Sequence, residues 1–166
     1  FPGFCAADQG IYLTEDLQLL VADSFLEEGE YYRAVTEYKR FGILFPGSPK
    51  GEYALFRTGM ACFLGDEHGD ALRAFQTVSE RYPDGYYRIP SGYFAGLSLW
   101  KKKDFAGAAE AFEAVVRSAP GSPFAARALA ARSLMELDRD DPAAATAALQ
   151  RFADGFPDHP EIARVR

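Results

Sequence analysis

The stretch Ala108-Ala109-Glu110-Ala111-Phe112-Glu113-Ala114-Val115, closed by Pro120, recurs along the chain and decides how the rest is read. Stepping by 37 residues from Ala34 reaches Ala71, Ala108 and Ala145, and the same step from Pro46 reaches Pro83, Pro120 and Pro157. Between them run Tyr38, Phe75, Phe112 and Leu149, then Phe41, Val78, Val115 and Phe152. A fourth column, Ala22, Gly59, Gly96 and Ser133, stays small throughout. A fixed period of this length marks a repeat array. An alanine followed by large apolar residues four and seven places later forms one stripe of an α-helix. The proline stops that helix, because it lacks an amide hydrogen and clashes with the preceding turn. The small column lies twelve residues before each alanine, centred in an earlier helical run, where it lets two backbones approach closely. Each repeat therefore reads as helix A, a short turn, helix B and a proline-marked break.

Composition sets limits on function. The chain has 166 residues with 18 basic and 24 acidic side chains, net −6. That balance disfavours a nucleic-acid role. Lys101-Lys102-Lys103, the one basic run, falls where helix A of the third repeat should end and reads as a solvated, dipole-complementing C-terminus. No apolar stretch approaches the roughly 20 residues of a membrane-spanning helix. Cys62 sits at a helix A position that is apolar in repeats one and three (Phe25, Leu99) and reads as a buried small hydrophobe. Gly65-Asp66-Glu67-His68-Gly69-Asp70 gathers acids and a histidine, but its spacing fits no calcium loop and offers no second histidine. His68 is in register with Tyr31 and Phe105, which points to packing where helix B begins. No nucleophile, base and orienting group share a motif, so neither a catalytic residue nor a metal ligand or cofactor is assigned.

An Ala-x3-Phe pair followed by proline, with a small residue midway along the first helix, resembles the tetratricopeptide repeat (TPR). Ala54-Leu55-Phe56-Arg57-Thr58-Gly59-Met60-Ala61 looks like a family helix A, and Lys103-Asp104-Phe105-Ala106-Gly107-Ala108 like its helix turn. The resemblance covers residues 14–160 and implies an all-α solenoid of four helix pairs, in repeats of about 14–48, 49–86, 87–122 and 123–159. Residues 1–13 form an extension, and 160–166 open a further capping or truncated helix. The period exceeds the family's usual 34 residues. The family's tryptophan column is replaced by Gln18, Leu55, Gly92 and Leu129. Arg132 and Glu136 occupy usually apolar positions, so helix A of the fourth repeat is expected to pack least well. Thr14 is the expected first N-cap, helix A of repeat one should reach about Glu28 and helix B about Phe45. Ser48 and Ser122 should each precede a helix whose first turn holds the next proline, and the late Pro90 should delay helix A of repeat three to about Ser91.

In this family helix A lines the concave side, where peptides or partner helices bind. Carried over by register, the resemblance implies a groove made by Leu19, Leu26, Phe56, Met60, Phe63, Tyr93, Leu97, Trp100, Leu134 and Leu137, with Asp23 and Ala130 completing its columns. The same side chains could instead pack between A helices, or lie under residues 1–13. The carboxylate clamp of chaperone-binding members is absent: no basic residue precedes Lys101 on helix A of repeat three, and the chain has no asparagine. Arg81-Tyr82-Pro83-Asp84 and Phe45-Pro46-Gly47-Ser48-Pro49 resemble the repeat endings of bacterial envelope TPR proteins, of the outer-membrane assembly lipoprotein and periplasmic division-coordinator types. Phe1-Pro2-Gly3-Phe4-Cys5-Ala6-Ala7-Asp8 is like the tail of a secretory signal. Acylation of Cys5 is the weaker reading, since Phe4 is bulky where a lipid-attachment motif prefers a small residue. The opening without methionine, and the ending on the start of another helix, favour a fragment. These readings converge on a non-catalytic scaffold in a bacterial envelope that holds a protein or peptide partner. The alternative is a structural spacer or homo-oligomerisation module of a larger envelope protein.

Overall fold

The computed structural model describes residues 13–157. Cys5, the extension's first twelve residues and the segment from Asp158 onward, with the expected capping helix, lie outside them. Eight helices follow one another among the described residues: α1 (Glu15–Glu27), α2 (Tyr31–Leu44), α3 (Gly51–Leu64), α4 (His68–Arg81), α5 (Arg88–Lys101), α6 (Phe105–Ser118), α7 (Pro123–Asp138) and α8 (Pro142–Gly155). Each packs on the next, and contacts that skip a helix include α3 with α5, α5 with α7, and the side-chain bonds of α1 to α3 and α6 to α8. The molecule is an all-α solenoid of helix pairs, its odd-numbered helices forming one continuous face.

Local chemistry places the ends. The Thr14 hydroxyl accepts from the Leu17 amide at 3.2 Å, and Ser122 accepts from Ala125 at 3.1 Å. Asp104 and Asp141 likewise accept from Gly107 and Ala144, each at 3.0 Å. These side chains satisfy amides that a first helical turn leaves without partners. An acid stands at the N-cap of every second helix (Glu30, Glu67, Asp104, Asp141), where the helix dipole favours negative charge.

The turns within the pairs share one geometry. The amides of Glu30, Glu67, Asp104 and Asp141 donate five residues back to the carbonyls of Phe25, Cys62, Leu99 and Glu136, at 2.8–2.9 Å. The residue before each donor is left-handed: Gly29, Asp66, Lys103 and Asp140, with φ of 77, 61, 64 and 63°. This is the Schellman termination. The second helices stop differently. Phe45, Tyr82, Ala119 and Phe156 each precede a column proline and are pushed out of the helical region, to ψ of 59–65°.

Three sequence expectations need correction. Helix α5 starts at Arg88, not near Ser91, because Pro90 is its third residue and an amide there has no intrahelical partner to lose; a basic residue, Arg88, therefore does precede Lys101 on this helix. Helix α3 starts at Gly51, so Ser48 and Pro49 form a preceding turn in which Ser48 Oγ accepts from the Lys50 amide at 3.1 Å. Nor is α7 loosely held. Arg132 donates to Glu113 at 2.8 Å, Arg139 to Glu136 at 3.0 Å, and Arg151 grips both oxygens of Glu113 at 2.8 and 2.9 Å. The buried Glu136 is thereby paired, and α6, α7 and α8 are tied together. The Arg151 hydrogen bonds, foremost, hold the Glu113 carboxyl below the usual carboxylate range.

The repeated columns form the core. Ala34, Ala71 and Ala108 are fully buried, as are Tyr38, Phe75 and Phe112 four residues on. A Cβ on Gly59 would come within 2.6 Å of the Phe75 ring, and one on Gly96 equally close to Phe112. The small column is thus set by the aromatic that lies across it. Leu149 breaks the pattern: at the same step it is 39% exposed, because α8 has no described helix beyond it.

Candidate partner-binding face

The predicted wall residues divide along the stack. Leu19, Leu26 and Phe56 are buried in the core, where they hold neighbouring helices together and leave little surface for a partner. Met60 and Phe63 are half-buried against the second core cluster, with the Phe63 ring 5.8 Å from Phe94 and 5.4 Å from His68. Tyr93, Leu97, Trp100 and Leu134 come together. With Ala126, Arg127, Ala130 and Ala131 they line one groove of about 390 Å³ between α5 and α7. Leu134 is 57% exposed on its rim, and Leu137, equally exposed, stands outside it. The gradient has a physical cause. Each helix A leans its third groove column on the next helix A, as Trp100 does in donating Nε1–H to Asp138 at 3.0 Å. Leu137 meets no such successor among the described residues.

Around the groove the charges are basic or neutralised. Arg127 stacks its guanidinium 5.3 Å from the Phe124 ring centre and has no carboxylate within ion-pair distance among the described residues. Asp138 is occupied by Trp100 and by Lys103 at 2.8 Å, and the Lys103 bond leads in holding its carboxyl below the usual range. Tyr93 packs 6.1 Å from Phe112 and 5.8 Å from Phe124, which fixes one wall by aromatic contact.

The same face of the first repeat is polar. Asp23 stands where Met60, Leu97 and Leu134 stand later. It accepts from Tyr53 at 2.8 and 2.9 Å, from Arg57 Nε and Nη2 at 3.2 Å, and from the buried Tyr38 hydroxyl. Burial first, then the Asp23 hydrogen bond, push the Tyr53 phenol up to about 12 and raise Tyr38 as well. Sequence reasoning passed over this cluster. The signal was present: Asp23 and Arg57 are opposite charges, each in a column otherwise largely apolar, on adjacent first helices.

Among the described residues, those of the Gly65–Asp70 turn included, no group of three or more His, Cys, Asp or Glu is placed so as to hold an ion. His68 opens α4 and lies against Phe63, as its register implied. Cys62 is buried, and burial pushes its thiol up. No helix among the described residues is long and apolar enough to cross a membrane.

Comparison with known proteins supports this architecture. Residues 53–85 and 93–160 each match a tetratricopeptide repeat model, and together the two take in more than half of the chain. A solved structure of MamA from Desulfovibrio magneticus RS-1 superposes with a TM-score of 0.73 at 18% identity, covering 89% of this chain and 78% of that one. YrrB, a TPR protein with an unusual peptide-binding site, superposes at 0.69 and 16% identity, covering 92% and 74%. At such identities the likeness is one of fold. An alignment 69 positions long is 41% identical to serine/threonine-protein kinase PknD of Chlamydia abortus, but it takes in 37% of this chain and 7% of that protein's length. The period, the stacked helix pairs and the two model matches lead to one conclusion: the chain belongs to the tetratricopeptide repeat family.

Proposed function

We propose that the chain is a non-catalytic scaffold that holds a protein or peptide partner in the groove between α5 and α7. The observation that carries this is the convergence of Tyr93, Leu97, Trp100 and the 57%-exposed Leu134 on one open cavity, on the face the family uses for binding. Aromatic side chains in a partly desolvated pocket supply most of the energy in such contacts. The peptide-binding site of YrrB, on a similar fold, supports the reading by analogy. Selection of displayed peptides on the protein tests it. Selected peptides should fail to bind Leu134→Glu, whose exposed position spares the fold; a pool that binds both proteins equally overturns the assignment.

A second reading rests on Leu137 and Leu149, both open at the last pair. Homo-oligomerisation through that end, in a larger protein, would cover them. Sedimentation separates the readings, since self-association predicts a dimer that Leu149→Glu dissolves. Residence in a bacterial envelope completes the proposal, supported by the signal-like opening and the style of the repeat endings. Fractionation of cells carrying the full-length protein tests that location, and recovery in the cytoplasm would reject it.

A further inference from the structure

A second trough, of about 550 Å³, lies between α2 and α4 on the other side of α3. Its floor is Leu55, Thr58 and Cys62, a helical stripe distinct from the Phe56, Met60 and Phe63 stripe of the groove face. From Gly51 to Cys62 it follows α3 for roughly 16 Å at 1.5 Å per residue, the reach of about five residues of extended chain.

Two independent features shape it. The first is Gly42, which lines the trough inside the last turn of α2 and has nothing within 4 Å of where a Cβ would stand. Glycine is a poor helix residue, and neither a close approach nor a left-handed backbone requires it here. At the same step of repeat three stands Val116, which packs against two core clusters. Where the third repeat has a filled seam, the first has an open one. The second feature is charge. Lys39, Arg73 and Arg81 line the trough against one carboxylate, Asp70, which Arg73 already engages. Lys39 and Arg81 have no ion-pair partner among the described residues. This is a local positive surface on a chain of net charge −6, and it would draw an anionic partner.

We propose that this trough docks an acidic peptide segment of a partner protein, with one bulky apolar side chain seated over Leu55 and its carboxylates meeting Lys39, Arg73 and Arg81. Its length and open mouth suit an extended segment laid between two helices. The proposal is separate from the α5–α7 groove and stands or falls without it.

The test is fluorescence anisotropy with a labelled short peptide carrying a leucine–phenylalanine pair flanked by glutamates, beside a version with lysines in their place. The acidic peptide should bind saturably and more tightly at low salt. Gly42→Val, which fills the trough as Val116 fills its counterpart, should weaken binding by about tenfold or more with no fall in melting temperature. The surface variant Lys39→Glu/Arg81→Glu should do the same, and Leu134→Glu should leave binding intact. The proposal is overturned if the acidic peptide shows no saturable binding, or if the lysine peptide binds as well. Unchanged affinity in either trough variant, or loss in Leu134→Glu alone, also overturns it.

Discussion

Gly59, Gly96 and Gly42 all lie within helices, yet their surroundings assign them opposite roles. At Gly96 a methyl group would enter the space of the Phe112 ring, 2.6 Å away. Overpacking there costs about 1–3 kcal/mol, more than the roughly 0.5–1 kcal/mol that alanine gains over glycine in a helix. Gly96→Ala should therefore lower the urea midpoint, and Gly42→Ala, which meets nothing, should raise it. Asp23 is the other residue on which neighbours depend. Removing its carboxylate leaves the buried Tyr38 hydroxyl without its acceptor and Arg57 with only the Tyr38 oxygen, so Asp23→Ala should cost about 2 kcal/mol and Asp23→Asn, which keeps an acceptor, less. Equal losses for the two variants would deny the network that role. At this scale the sequence was unevenly legible. Gly29 announces a left-handed turn and the short polar side chains of Asp66 and Asp140 tolerate one, but Lys103 adopts the same backbone with nothing in its side chain to mark it.

At the scale of the helix, the stack has an inside and an end. Phe112 is fully buried between its own pair and the next, whereas Leu149 at the same step is 39% exposed. Phe112→Ala should cost about 3–5 kcal/mol, and Leu149→Ala less than about 1.5 kcal/mol, since only part of its apolar surface is withdrawn from water. Chemical denaturation of both variants checks the contrast. Helix identity was plain from the sequence because alanine, aromatic and proline columns repeat in phase. Helix starts were less plain. Pro90 reads as a barrier in a linear pattern, but in space it occupies a first-turn position that proline tolerates. Arg132 and Glu136 read as flaws in an apolar stripe, but Arg132 pairs with Glu113 on a different helix, beyond what a single helix pattern can show, and Glu136 pairs with Arg139.

For the whole molecule, the titrating groups predict how stability responds to pH. Tyr53, pushed up to about 12, is neutral in the folded chain where an unfolded phenol ionises near 10. Its contribution is complete below pH 10 and lost as pH rises from there toward 12. Glu113 works in the opposite sense: its carboxyl is depressed in the fold, so its contribution is complete above its ordinary 4.5 and lost as pH falls through the folded value. Urea midpoints should therefore decline at both extremes. Tyr53→Phe should shallow the alkaline limb and Arg151→Gln the acid one, and limbs unchanged by either would refute the assignments. The solenoid itself was legible because its period is global. The groove was legible only in part, because an apolar residue on helix A can face a partner or the next helix, and Leu19 and Phe56 chose the helix. The lone tryptophan of the chain, Trp100, lies in the α5–α7 groove and offers the most direct test. Titrating a display-selected peptide while recording Trp100 emission should give a saturable blue shift that Leu134→Glu abolishes. A peptide that demonstrably binds yet leaves that emission unchanged would contradict the assignment of the groove as the partner site.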